Sequence, residues 1–202
     1  MSKCFSDISP KGSMRVEIKN LLEIIQVQRH DFLNHLQVIS GLLQLNKGDR
    51  VRDYINQVCQ QYENYSKVTR IKSPEILAVL LVGSNEANKS QIDIQYDIQT
   101  NLATLNVPGE VVASALNRCI KQALKFLAPP EVNDRRMKLT ISEGEKKITI
   151  KLGFSGVPAE IVKDAQEQIA LAEALAAYKS SFKLAVTEKE VEIYMIFPKK
   201  LA

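Results

Sequence analysis

Cysteine is scarce in this chain. Cys4, Cys59 and Cys119 are odd in number and show no CxxC spacing, which argues against a disulfide framework or a zinc site and fits a reducing cytosol. Histidine is scarcer, with only His30 and His35. Long hydrophobic runs are missing. The longest apolar stretch, residues 76–83, is far too short to span a bilayer, and the N-terminal MSKCFSDISPKGSM has no apolar core of a signal peptide. The expectation is a cytoplasmic protein with no membrane contact of its own. Charge of one sign is also lacking. Lys plus Arg number 27 against 23 Asp plus Glu, a net charge of +4. These charges are interspersed, so no basic stripe with interleaved aromatics is offered to nucleic acid. There are no internal repeats and no low-complexity tract. What remains is an ordinary globular balance, 45% hydrophobic and 25% charged over 202 residues, enough for a sizeable core and one or two domains.

Residues 1–13 carry Gly, Ser and Pro without periodicity and read as a flexible tail. From about Met14, Ile18, Leu21, Leu22, Ile25, Phe32, Leu36, Ile39, Leu42 and Leu43 recur at spacings of three and four, which predicts a long helix reaching Asn46. Lys47-Gly48 reads as its stop and Asp49 as the N-cap of the next helix. That second helix carries Val51, Ile55, Val58, Tyr62, Tyr65 and Thr69 in a coiled-coil type of seam. The two helices predict an antiparallel hairpin over 14–72, with a second apolar edge that another copy would cover as a four-helix bundle. Ser73-Pro74-Glu75 opens a third helix, with Ser73 as N-cap, running to about Lys89. A strand is expected at Ile92 to Ile98, a helix at Glu110 to Leu127, and strands at Lys138 to Ser142 and Lys147 to Leu152. The connection between those two strands is placed at Glu143-Gly144-Glu145. A helix from Ala159 to Tyr178 and strands at Phe182 to Val186 and Val191 to Phe197 complete the chain. Segregated helices and hairpin strands predict an α+β domain over 73–202.

The short stretch RHDFLNHLQ, residues 29–37, holds both histidines. Each helical residue advances roughly 100°. His30, two residues before Phe32 of the apolar stripe, therefore faces water, and His35 faces the seam as a satisfied core histidine. Five residues apart, the two cannot share a metal from one helix, and no metal site is expected. Asp31 offers an acceptor for a ring N–H, which would leave the other ring nitrogen as a neutral nucleophile. Arg29 puts positive charge where a phosphoryl group would need it. Asn34, one turn on, is a neutral hydrogen-bond partner.

The stretch RHDFLNHLQVISGLLQL, 29–45, resembles the phosphoacceptor helix of one histidine-kinase subgroup. That subgroup comprises the citrate and C4-dicarboxylate sensor kinases and the sporulation initiation phosphotransferase B family. Arg29, His30, Asp31, Phe32, Asn34, Leu36 and Gln37 carry the match, and GDRVRDYINQV, 48–58, resembles the second helix of the hairpin. The resemblance implies that His30 is the phosphorylated residue, assisted by Arg29, Asp31 and Asn34. The remaining chain is similar, in order of elements, to a degenerate histidine-kinase ATPase-like α/β sandwich. In LNRCIKQAL, 116–124, Gln122-Ala123 stands at the family's Asn-Ala and Lys121 where an acid is usual. In LGFSGVP, 152–158, Gly156-Val157-Pro158 matches the end of the Asp-x-Gly-x-Gly box, but Leu152 falls at the Asp and Phe154 at the first Gly. The later segment EQIALAEALAAY, 167–178, has no glycine for a phosphate lid.

The resemblance therefore implies a phosphorelay phosphotransferase without a nucleotide or metal cofactor of its own. It would take a phosphoryl group from the aspartyl-phosphate of one response-regulator receiver domain and pass it to another, with Mg²⁺ supplied by the receiver, in the control of sporulation initiation. A homodimer is expected. Two alternatives stay open: a sensor-type kinase with a divergent ATP site, and a dimeric interaction module without histidine chemistry.

Overall fold

The computed structural model describes residues 10–155, 165–187 and 190–200. The element order is three helices, a strand, a helix, two strands, a helix and two strands, an α+β arrangement. The chain divides into two compact units between Gln60 and Gln61, inside the second helix, whereas the sequence reading puts the division at the following loop.

In the first unit, α1 spans Pro10–Gln44 and α2 begins at Gly48. The first helix starts four residues before Met14, with proline at its first position, where a missing N–H is harmless. Residues 10–13 are thus helical, and 1–9 lie outside the described residues. The stop also differs from the expected Lys47-Gly48. Asn46 adopts a left-handed φ of 54°. Its N–H bonds the Leu43 carbonyl at 2.9 Å and the Lys47 N–H bonds the Leu42 carbonyl at 3.0 Å, which is a Schellman termination. Asparagine tolerates the left-handed conformation better than most residues, so no glycine is needed. Asp49 lies in the first turn of α2 rather than at its N-cap. Lys47 is the residue whose carbonyl accepts the opening helical bond, from Val51 N–H at 3.1 Å.

The second unit contains the end of α2, which closes at Val68, and α3 (Pro74–Lys89), β1 (Asp93–Ile98), α4 (Gly109–Leu127), β2 (Arg136–Glu143), β3 (Lys147–Ser155), α5 (Ala165–Ala176), β4 (Ser181–Val186) and β5 (Glu190–Pro198). Residues 156–164, where the last helix was expected to begin, lie outside the described residues. The five strands form one sheet in the order β1-β2-β3-β5-β4. β1 pairs parallel to β2 across the α4 crossover, and the other pairings are antiparallel. β3 and β5 alternate strictly between buried and half-exposed residues, so one face is apolar. Ile76 and Leu80 of α3, Leu116 and Ile120 of α4, and Leu139, Ile150, Leu152 and Met195 of the sheet share one core. The other face is polar and carries Lys138, Thr140, Lys151, Glu192 and Tyr194.

Ser73 precedes α3 as expected, yet its hydroxyl makes no cap bond. It donates instead to the Glu75 carboxylate at 2.6 Å, which holds that carboxyl below its ordinary range. α4 starts against this pair. A Cβ on Gly109 would stand 2.5 Å from Ser73 Oγ and 2.7 Å from Glu75 Oε2, so glycine permits the close approach.

Candidate functional site

α1 is a continuous helix from Pro10 to Gln44, and its fixed rise and rotation set the positions of residues 29–37. His30 faces solvent, its side chain 75% exposed. Asn34, one turn further on, places its amide nitrogen 3.0 Å from His30 Nδ1. This is the i, i+4 geometry of neighbouring side chains on a helix. Asp31 is the expected acceptor but stands 3.6 Å from the same ring nitrogen, too far for a hydrogen bond. A residue one position along a helix projects about 100° away, whereas a residue four positions on lies on the same face. Asp31 contributes negative charge beside the imidazole, while Asn34 sets its orientation. Arg29 is exposed on the other side of His30.

The amide–imidazole bond determines the ring's chemistry. With the amide nitrogen donating to Nδ1, the ring proton sits on Nε2. Half a turn of the Asn34 amide makes its oxygen accept from Nδ1–H and leaves the Nε2 lone pair bare and pointing outward. The second arrangement is a neutral nucleophile with its tautomer fixed from behind.

His35 behaves differently. It is half-buried, and its Nδ1 lies 2.9 Å from the hydroxyl of Tyr54 on α2, with the two rings tilted and their centroids 5.8 Å apart. The pair ties the two helices of the hairpin. Tyr54 was missed by sequence reasoning, which took its neighbour Ile55 as the seam residue. Ile55 is 41% exposed.

A band of apolar residues is uncovered along α1. Ile25, Phe32 and Leu43 are 61%, 54% and 55% exposed, and Leu22 and Leu36 belong to the same band. With Arg29 and the half-buried Ile39, positions 22, 25, 29, 32, 36, 39 and 43 step by three and four, the spacing of a coiled-coil seam.

In the second unit, the segments compared with nucleotide boxes are described in part. Gln122 is half-buried on α4 and Lys121 is exposed. Leu152 is fully buried and Phe154 is 4% exposed, both in the apolar core. Gly156, Val157 and Pro158 lie outside the described residues. Among the described residues no cluster of His, Cys, Asp and Glu has the form of a metal site, and no helix is long and apolar enough to cross a membrane.

Comparison with known proteins places this geometry in a class. Residues 13–71 match the model of the sensor kinase SpoOB-type α-helical domain. Over 169 residues the chain is 25% identical to the sensor protein CitS of Halalkalibacterium halodurans, covering 81% of this chain and 31% of that protein. Over 140 residues it is 21% identical to sporulation initiation phosphotransferase B of Bacillus subtilis, covering 69% of this chain and 72% of that protein. The chain thus spans about a third of the sensor kinase and most of the phosphotransferase. Histidine kinase ThkA, solved in complex with response regulator protein TrrA, shares the fold, with a TM-score of 0.51 at 11% identity over 98% of this chain and 68% of that one. The fold is that of histidine kinases. Residues 13–71 are similar to the SpoOB-type α-helical domain, in agreement with the resemblance over 29–58.

Proposed function

We propose that the chain is a phosphorelay phosphotransferase with His30 as phosphoacceptor. The observation that carries this reading is the outward-facing His30 ring with the Asn34 amide within hydrogen-bond distance of Nδ1, and with that amide turned so that its oxygen accepts from Nδ1–H, Nε2 is the free nucleophile. Nε2 attacks the phosphorus of a receiver aspartyl-phosphate in line. The N–P bond forms as the bond from phosphorus to the carboxylate oxygen breaks, and the carboxylate leaves. Positive charge developing on the ring is shared through Nδ1–H with the Asn34 oxygen, and Arg29 offsets the charge of the phosphoryl oxygens. Transfer of this kind rests on positioning and charge neutralisation. The same groups serve the reverse step, to the aspartate of a second receiver. Mg²⁺ belongs to the receiver, and the phosphotransferase works in the cytoplasm.

A second copy closes the exposed seam of α1 and α2, giving a homodimeric four-helix bundle. The second unit acts without a nucleotide. Where an adenine-binding carboxylate would be needed, Leu152 is sealed in the core, and Phe154 fills the place of a backbone-exposing glycine. Control of sporulation initiation is the role that the SpoOB-type helices suggest.

The test is to incubate the protein with labelled ATP, and separately with a phosphorylated receiver domain, beside a His30→Ala variant. Label taken from the receiver and lost in the variant is expected. Label taken from ATP would overturn the proposal in favour of a kinase.

A further inference from the structure

α2 turns two faces in different directions. Val51, Tyr54 and Val58 are buried or half-buried, and Tyr54 is the partner of His35 on α1. Ile55, Cys59 and Tyr62 are exposed and follow one another by four and three residues, the spacing of a coiled-coil seam. α2 thus carries an open seam to match the one on α1, and each seam departs from its pattern at one position. Arg29 is a charged residue between Ile25 and Phe32 of the α1 seam. Cys59 is a small residue between Ile55 and Tyr62 of the α2 seam.

The hairpin puts these two departures at one level. The contact between His35 and Tyr54 sets the register of the antiparallel helices. Arg29 lies six residues before His35, about 9 Å along α1, and Cys59 lies five residues after Tyr54, about 7.5 Å along α2 in the same direction. Their levels differ by about 1.5 Å, a single helical rise. When two hairpins close into a four-helix bundle with both tips at one end, residues at one level meet across the seam. Apolar side chains then face apolar ones, and the long Arg29 side chain faces the short Cys59 side chain. Large residues set opposite small ones fill such a layer without strain. An arginine in an apolar seam packs its stem and extends its charged head to water, and the small thiol side chain leaves room for that stem.

We infer that Arg29 of each copy crosses the seam over Cys59 of the second copy, forming one mixed layer that fixes the register of the dimer at the level of His30. This inference rests on the homodimer proposed above. A slipped or reversed pairing would set the Arg29 stem against a large apolar side chain, with no gap to pass through, so the layer selects one alignment among those that an all-apolar seam would allow.

The test is sedimentation of the full chain over a concentration series, in wild type, Cys59→Leu, Arg29→Ala and the double variant. Leucine at position 59 takes the space of the Arg29 stem, so the dimer dissociation constant should rise about tenfold or more. Arg29→Ala in the same chain reopens that space and should restore the wild-type value, a coupling that the double-mutant cycle isolates. A seam without this layer behaves oppositely, because an added apolar side chain tightens it. A Cys59→Leu dimer as tight as the wild-type one, or a double variant no tighter than Cys59→Leu, would overturn the inference and leave the homodimer standing. A wild-type chain that stays monomeric would overturn both.

Discussion

Replacing Leu152 by aspartate would restore, in sequence, the acid that a nucleotide-binding box carries. In this fold it should instead break the core. Leu152 is fully buried, with Leu139 and Ile193 as its cross-strand neighbours. Truncation to alanine at such a site costs about 3–5 kcal/mol, the transfer term plus the cavity. Aspartate loses the same apolar contacts and adds a carboxyl without a partner, a further penalty of about 1–3 kcal/mol or more. The sum approaches the whole stability of an ordinary domain, about 5–15 kcal/mol. The pH dependence has a definite sign. Burial raises the carboxyl's folded pKa above its unfolded value of about 3.9, so the folded state binds the extra proton. The deficit relative to wild type is then smaller near pH 4 than near pH 8. Urea unfolding of wild type, Leu152→Ala and Leu152→Asp at both values reads it, with a nucleotide-binding assay alongside. An aspartate variant as stable as the alanine one at neutral pH, or one that binds ATP, would refute the view that position 152 is sealed core.

Other changes probe the rest of the structure. Asn46→Ala puts a Cβ-bearing residue without a local polar side chain at φ 54° and should cost about 1–2 kcal/mol in a urea melt, whereas Asn46→Gly should cost nothing. Tyr54→Phe removes the hydroxyl at 2.9 Å from His35 and should lower stability by about 0.5–1.5 kcal/mol without abolishing phosphotransfer. Glu143 accepts hydrogen bonds from Lys199 at 2.6 Å, Thr104 at 3.0 Å and Thr100. The Lys199 bond above all, then those of Thr100 and Thr104, lower its carboxyl to about 2. Its stabilisation is present above the unfolded value of about 4.3 and is lost as pH falls toward 2. The gap in melting midpoint between wild type and Glu143→Gln should therefore narrow across that window.

Local pattern carried much of this structure and long-range pairing did not. Apolar spacing along α1 and the change to period two at β1 locate those elements, because both depend on neighbouring residues. The same rotation per residue that turns His30 outward turns His35 toward α2. The errors lie where a local signal competes with a stronger local alternative. Glycine is the commonest helix stop, so Gly48 attracted the assignment, but Asn46 takes the left-handed conformation. Serine is a good N-cap, yet the Ser73 hydroxyl finds the Glu75 carboxylate instead. Asp31 adjoins His30 in sequence, while helical geometry brings Asn34 to its ring. Other features depend on distant segments. The Tyr54 partner of His35 lies on another helix. Glu143, taken for a turn residue, ends β2 and gathers bonds from the segment after β1 and from Lys199. The sheet order β1-β2-β3-β5-β4 sets distant strands side by side, an order that no local spacing encodes.

The central claim is that His30 carries the phosphoryl group. The most direct measurement is mapping of the phosphorylated residue by tandem mass spectrometry, at neutral to alkaline pH, after incubation with a phosphorylated receiver domain. The account predicts the phosphoryl group on His30 and none on His35. Phosphate found on another side chain, or a chain that takes no phosphoryl group from any receiver, would contradict it.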